Sequence, residues 1–381
     1  MRMLFLLFCL YLLSFACCER FVLYCPCSGR LGNQLDHLLG TMKFAEEFRF
    51  TIVLMPFIHY YPVAPLGSIS LTAFEDIFDT DMFSNPKQDH GTFLKTISWS
   101  KLSKIIPDVW PKESRNLNCL VKIDNEKIIS KLPCELPSHL PYNSYWKKLN
   151  ISFSGGKTLS FAHLTSELHL PGRNRTSVVA LLKSPGSSPP LKTEYQYQSH
   201  LSWAELFKLK MAEKVPQRPY LAVHIRVASD MAKSCARIKD NPGIFAFKQC
   251  ADENIPPIEE NCVPSANTIL NNIYQNLKSF DHIRAVYLAT DSYYFVQKQI
   301  YAILREKYSN FKIYLNPAST EFGDLYLMEQ ADVFLGSCVS TYSAFVVRSR
   351  RLNNKVVKFI HVSNETEASN GIAKENNRSD L

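Results

Sequence analysis

From residue 220 to residue 360 the chain alternates short apolar runs with helical patterns, and this alternation constrains the fold more than any other feature. Residues 220–227 read as a strand, Ile269, Leu270, Ile273 and Leu277 mark one face of a helix, and 284–289 read as the next strand. A helix carrying Val296, Ile300, Ile303 and Leu304 follows, then a strand over 311–315, a short helix about 325–331 and a strand over 333–335. A helix over 340–348 and a strand over 356–360 complete the series. Strands that alternate with helices build parallel sheets covered on both faces.

The other half opens with one unit of the same kind. Phe21-Val22-Leu23-Tyr24 reads as a buried strand, and Leu35, Leu38, Leu39, Met42 and Ala45 recur at helical spacing before a second strand at 51–55. Between strand and helix lies Ser28-Gly29-Arg30-Leu31-Gly32-Asn33-Gln34-Leu35. Glycines permit close backbone approach, and a new helix offers unpaired amides, so such a junction suits an anionic or sugar ligand. A tight turn capped by Asn33 is the alternative. The remainder of this block is irregular and proline-bearing, ending near the polar loop 183–190. With 381 residues, 46% of them hydrophobic, the chain is long enough for two domains. The expected architecture is an α/β pair of Rossmann-like domains facing a cleft, with a leader at 1–18, an N-terminal domain at 19–205 and a C-terminal domain at 206–381.

Arg2 precedes an apolar stretch over 4–16 that is shorter than the roughly 20 residues a bilayer span needs, so it reads as a cleaved secretory signal rather than a membrane anchor. Of the 11 cysteines, Cys9, Cys17 and Cys18 belong to the leader, which leaves 8. An even number in an oxidising compartment favours disulfides, and no paired CxxC set suggests a structural zinc. Sequons at Asn150, Asn174, Asn364 and Asn377 fit luminal exposure. The formal charge of +8 includes no dense basic run, which argues against nucleic acid.

In open parallel sheets ligands gather at the carboxyl ends of the strands, which singles out Arg30, Asn33, Arg226, Asp230, Asp291, Ser292, Ser337, Ser340 and Thr341. Strand alternation points His224 and Arg226 to one face, and a buried guanidinium there meets either an anionic ligand or an internal carboxylate, Asp230 or Asp291. Gly323-Asp324 opens a helix, where the carboxylate complements the helix dipole or accepts the two adjacent N–H groups of guanine. Gly336-Ser337-Cys338-Val339-Ser340-Thr341-Tyr342 is a helix cap or a second phosphate cradle. Asp79-Thr80-Asp81 has the composition of a metal-diphosphate site but follows no clean strand, and it reads as a surface turn. Walker, His-Glu-x-x-His and Gly-x-Ser-x-Gly motifs are missing, which removes the usual support for NTPase, zinc protease and hydrolase readings.

These residues together resemble the GDP-fucose protein O-fucosyltransferase 1 family, which acts on EGF-like repeats. The likeness rests on Gly29-Arg30-Leu31-Gly32-Asn33-Gln34 with Asp36-His37, His224-Ile225-Arg226 with Ser229-Asp230, Ala289-Thr290-Asp291-Ser292, Asp324-Leu325-Tyr326, and Cys338-Val339-Ser340-Thr341-Tyr342-Ser343-Ala344-Phe345. The resemblance implies a GT-B fold and an inverting, metal-independent transfer of fucose from GDP-fucose to hydroxyls of folded EGF-like repeats, as in Notch-type receptors. It implies that Arg226, which assists the leaving group, and Asn33 are the catalytic residues, and that Asn33, with Arg30 and Gly32, lines the site near the sugar and phosphate. It further implies that His224 and Asp324 hold guanine, that Asp230, Ser340, Thr341 and Tyr342 complete the nucleotide pocket, and that no cofactor is needed beyond the donor. Disulfides Cys25–Cys27, Cys119–Cys134, Cys235–Cys262 and Cys250–Cys338 are implied in the same way, as are a monomer and residence in the endoplasmic reticulum lumen. Family members commonly end in a KDEL-like tetrapeptide, whereas this chain ends Arg378-Ser379-Asp380-Leu381. Two rivals remain at this stage: a transferase for thrombospondin-type repeats or with another GDP-sugar, and a non-catalytic lectin or chaperone that binds EGF-like repeats.

Overall fold

A computed structural model describes residues 19–27, 29–60, 69–80, 94–121, 123–124, 127–128, 142–160, 177–181, 197–236, 248–315 and 320–362. The chain divides into two units, Met1–Glu205 and Leu206–Leu381. The leader, Asp81, the loop 183–190, the sequons at Asn174, Asn364 and Asn377, and the C-terminal tetrapeptide lie outside the described residues.

The N-terminal unit runs β1 (Arg20–Tyr24), α1 (Leu31–Glu47), β2 (Thr51–Leu54), the hairpin β3 (Phe57–Tyr60) and β4 (Ile69–Thr72), then β5 (Thr96–Ser98) and α2 (Trp99–Val109). It continues with β6 (Asn116–Val121), a small ribbon of β7 (Ile123–Asp124) and β8 (Lys127–Ile128), α3 (Tyr142–Lys148), β9 (Gly155–Ser160) and β10 (Ser177–Leu181). Six strands form one parallel sheet in the order β5-β2-β1-β10-β6-β9. A parallel strand covered on both faces must be apolar throughout, and Phe21, Val22, Leu23 and Tyr24 are all buried. On α1 the expected stripe Leu35, Leu38, Leu39, Met42 and Ala45 is buried, but so are Gln34, Asp36, His37 and Thr41. The helix is covered on more than one side because β3 packs against it: Gln34 Nε2 donates to Ile58 O (2.9 Å) and Ile58 N–H donates to Gln34 Oε1 (2.8 Å).

α4 (Glu205–Ala212) begins at the division between the units, and the C-terminal unit continues with β11 (Tyr220–Ile225), α5 (Ser229–Cys235), α6 (Lys248–Asp252), α7 (Glu259–Cys262), α8 (Ala266–Ser279) and β12 (Ala285–Thr290). α9 (Tyr293–Val296) runs through a π-turn at Gln297–Tyr301 into α10 (Ala302–Lys307), followed by β13 (Lys312–Tyr314), α11 (Glu321–Gln330), β14 (Val333–Gly336), α12 (Thr341–Leu352) and β15 (Val356–Phe359). The parallel sheet is ordered β13-β12-β11-β14-β15, so the connection reverses direction between β11 and β14. That reversal is the switch point at which doubly wound sheets open a crevice for ligands. Leu221, Val223 and Ile225 face Ile269 and Ile273 of α8 and Val296, Ile300 and Leu304 in one core. The intervening Tyr220, Ala222 and His224 therefore point to the opposite face, where the Tyr220 hydroxyl donates to Leu327 O of α11 (2.6 Å).

Two sequence expectations need correction. Ile303 is 38% exposed rather than part of the buried stripe. The π-turn takes more residues per turn than an α-helix, so the buried row runs Val296, Ile300, Leu304 at intervals of four and Ile303 is rotated outward. The helix bearing Asp324 begins at Glu321, because Thr320 caps it by accepting the Gly323 N–H at 3.0 Å.

Candidate functional site

Polar side chains gather beyond the carboxyl ends of β11, β12 and β14. β11 stops at Ile225, which frees Arg226 from the ladder, and its guanidinium pairs with two carboxylates at once. Asp230, in the first turn of α5, accepts from Nη1 (3.0 Å) and Nη2 (2.5 Å), and Asp291, just past β12, accepts from Nη1. Of the two internal carboxylates the sequence offered, both engage the guanidinium. They differ in exposure: the Arg226 and Asp291 side chains are 14% and 11% exposed, Asp230 57%. Burial works against the charged guanidinium, but hydrogen bonds and charge from Asp230 and Asp291 outweigh it and raise its pKa.

His224, on the same face as Arg226, is buried. Its Nδ1 lies 2.7 Å from Ser343 Oγ, and its ring packs on Tyr342 with centroids 5.0 Å apart. Burial, with a smaller contribution from Arg226, lowers its pKa to about 4 against an opposing pull from Asp291, so the ring is neutral at physiological pH. With Nδ1 engaged, Nε2 is the ring atom left for a ligand. Tyr287 on β12 donates its hydroxyl to Asp324, and Tyr342 donates its own to Glu321 O. Burial, then the charges of Asp324 and Glu321, push the Tyr342 hydroxyl well above its ordinary range, so it stays a donor.

The segment after β14 is both cap and cradle. Ser340 caps α12 by accepting the Ser343 N–H at 3.3 Å, whereas the buried Ser337 hydroxyl has no hydrogen-bond partner among the described residues. A buried hydroxyl without a partner is costly unless a ligand or water completes it, and it sits where helix amides favour an anion. Gly336 is required by packing, since a β-carbon there would come within 2.7 Å of the Phe334 ring. Gln249 of α6 holds this segment from behind, donating to Cys338 O (2.5 Å) and Ser340 O (3.2 Å), and its neighbour Cys250 is bonded to Cys338.

A family model for GDP-fucose protein O-fucosyltransferases matches residues 21–353. The chain belongs to that family. This O-fucosyltransferase is 26% identical over 353 residues to GDP-fucose protein O-fucosyltransferase 1 of Caenorhabditis elegans, a match covering 87% of this chain and 86% of the relative. The solved structure of POFUT1 in complex with GDP-fucose superposes with a TM-score of 0.74 at 23% identity, covering 90% of this chain and 98% of that one. POFUT1 in complex with GDP superposes with a TM-score of 0.73 at 22% identity. The fold is accordingly an α/β GT-B glycosyltransferase fold and the chain is a glycosyltransferase enzyme.

In the N-terminal unit of the O-fucosyltransferase, Gly29 adopts φ +79, and a β-carbon there would lie 1.8 Å from Asn33 Nδ2. Asn33 is thus the third residue of α1, folded back over the glycine, and not the cap; Arg30 occupies the cap position without a side-chain capping hydrogen bond. Arg30 is exposed, Asn33 half-buried and Gly32 buried. Thr341 is half-buried at the start of α12. Disulfides join Cys25 to Cys27, Cys235 to Cys262 and Cys250 to Cys338, while the Cys119 side chain and Cys134 lie outside the described residues. Asp79 donates its backbone N–H to Ser202 O, and among the described residues no group of three His, Cys, Asp or Glu side chains is placed to hold a metal. No helix among them is long and apolar enough to cross a membrane. Asn150 is exposed with φ 56.

Tyr287 and Gln249 carry weight in this arrangement that the sequence did not reveal, whereas Ser337 was already marked by its place after a strand. Tyr287 reads as an ordinary strand aromatic and Gln249 has no local motif; only the packing of β12 on α11 and of α6 on the β14–α12 turn reveals them.

Proposed function

We propose that this enzyme transfers fucose with inversion, and without a metal ion, from GDP-fucose to serine or threonine hydroxyls of folded EGF-like repeats in the endoplasmic reticulum lumen, acting as a monomer. The observation that carries the reading is the placement of Arg226 and the unpartnered Ser337 at one sheet edge: Val223 lies opposite Leu335, so β11 and β14 deliver both to the switch point. A fixed cation beside spare amide and hydroxyl donors suits a diphosphate leaving group.

In this mechanism the bond from fucose C1 to the β-phosphate oxygen breaks, and Arg226 neutralises the charge that develops on GDP. Arg226 supplies the charge that a divalent ion supplies in other nucleotide-sugar transferases. The acceptor oxygen bonds to C1 from the opposite face, and its proton passes to water late in a dissociative, oxocarbenium-like transition state. Strong-base activation is then unnecessary, which agrees with the lack of an obvious general base among the assigned residues. His224, through Nε2, and Asp324 hold guanine, while Ser340, Thr341, Tyr342 and Asp230 complete the nucleotide pocket. Arg30, Gly32 and Asn33 serve the sugar and phosphate. The EGF-like acceptor rests on the family resemblance.

Labelled fucose transfer from GDP-fucose to separately folded EGF-like and thrombospondin-type repeats, with and without EDTA, tests the reading. Transfer to the EGF-like repeat alone, surviving EDTA and falling at least about 100-fold in Arg226→Ala, is the expected result. Transfer to thrombospondin-type repeats overturns the acceptor assignment, loss with EDTA overturns metal independence, and near-normal turnover by Arg226→Ala overturns the role of Arg226.

A further inference from the structure

The two carboxylates on Arg226 are not equivalent. Asp230 reaches it from α5, a 7-residue helix one turn away, and its side chain is largely in solvent. Asp291 reaches it from just past the neighbouring strand and is slightly more buried than the arginine. Register explains why: Ile225 pairs with Thr290 across the β11–β12 ladder, so the next residues, Arg226 and Asp291, leave the sheet side by side.

Asp291 also grips more than the guanidinium. Its Oδ1 accepts the Val227 N–H at 3.1 Å while Oδ2 accepts from Arg226 Nη1, so one carboxylate fixes the backbone just after the arginine and the head of its side chain. Thr290 secures the residue before it, donating its hydroxyl to Ile225 O at 3.0 Å and accepting the Ser292 N–H at 3.0 Å. The end of β12 thereby clamps Arg226 from both sides. A long side chain has much rotamer freedom to lose, and a cation aimed at a leaving group acts only from one narrow position.

We propose that Asp291 is a positioning residue for fucosyl transfer, holding the Arg226 guanidinium aligned for the departing diphosphate while the exposed Asp230 is the carboxylate that yields to the donor. The proposal rests on the reading of Arg226 given above. It separates two properties that a purely structural residue would link. Loss of the Asp291 charge misaligns Arg226, which lowers turnover, yet it also removes a negative neighbour from the cation, which leaves GDP binding intact or tighter.

Asp291→Asn is the discriminating variant, because its amide oxygen can still accept from Val227 while the amide nitrogen cannot accept from Arg226. With GDP-fucose and a folded EGF-like repeat, kcat is expected to fall by about 10–100-fold. The Kd for GDP, by calorimetric titration, is expected to be unchanged or lower, and Tm to match wild type. Asp291→Glu keeps the charge but not the reach, and is expected to show the same split. A kcat within threefold of wild type for Asp291→Asn, or a GDP affinity that weakens in step with kcat, overturns the proposal. Arg226→Ala assayed in parallel separates the two readings: if it is inactive while Asp291→Asn is normal, the positioning role alone fails; if both turn over normally, the role of Arg226 fails as well.

Discussion

Arg226 and Arg350 stand at opposite edges of one five-stranded sheet, and the contrast between their partners explains which edge can exchange a partner for a ligand. Arg350 is fully buried at the amino edge, where it donates to the carbonyl oxygens of Met328, Glu329, Ala331, Asp332 and Val356. Those groups are the unpaired end of α11 and the starts of β14 and β15, so its donors are permanently committed to the backbone. Burial pulls its pKa down to about 10, yet it remains charged. Arg226 is held by carboxylates instead, and one of them is largely exposed. An exposed carboxylate can be exchanged for a ligand's phosphate; a buried carbonyl cannot. The amino edge is saturated, while the carboxyl edge keeps one exchangeable partner and, at Ser337, one spare hydroxyl.

The contrast can be broken most decisively at the saturated edge. Arg350→Met leaves several buried carbonyls without donors and is expected to cost about 3–5 kcal/mol of stability, read by denaturant unfolding of the C-terminal unit. A loss under about 1 kcal/mol would show that these carbonyls find other partners and that the edge is less committed than its geometry indicates.

A second measurement sharpens the carboxyl edge through His224. Its pKa is lowered to about 4 in the folded protein, against an ordinary 6.5, so the unfolded chain binds the proton more readily. Above pH 6.5 both states are neutral and the group contributes nothing. As the pH falls from 6.5 toward 4 stability is lost, by about 1 kcal/mol at pH 5.5 and about 3 at pH 4. Unfolding of wild type and His224→Gln across this window is expected to show that component in wild type only.

The smallest effect tests the spare hydroxyl. Ser337→Ala is expected to weaken GDP binding about threefold, the worth of one modest hydrogen bond, with Tm unchanged because no internal bond is lost. Unaltered GDP affinity by calorimetry would mean that the hydroxyl serves no ligand.

Much of this was legible in the chain. The apolar runs at 220–225 and 285–290 and the stripe Ile269, Ile273, Leu277 announced a parallel sheet with helices on its faces, because burial on both sides leaves no room for polar residues. Residues immediately after each strand were legible as site candidates for the same topological reason, and Arg226, Asp291 and Ser337 were among them. Boundaries set by a cap or a π-turn were not, since Thr320 and the turn at Gln297–Tyr301 act through hydrogen bonds that leave the apolar pattern almost unchanged. The alternative in which Asn33 caps the turn was open in the sequence because its type suits capping; only the positive φ of Gly29 shows that the amide folds back over the glycine from inside the helix.

By itself the sequence determined the fold class, the family and the identity of the charged groups, since these follow from periodicity and from residue types in fixed order. Tertiary structure decided which carboxylate meets Arg226 in a buried setting and which one meets it in solvent. That choice depends on the register of β11 against β12, which sets Asp291 beside Arg226 although 65 positions separate them along the chain. Spacing along the chain marks only Asp230 as a neighbour, four residues away, and only the packed sheet supplies the buried partner.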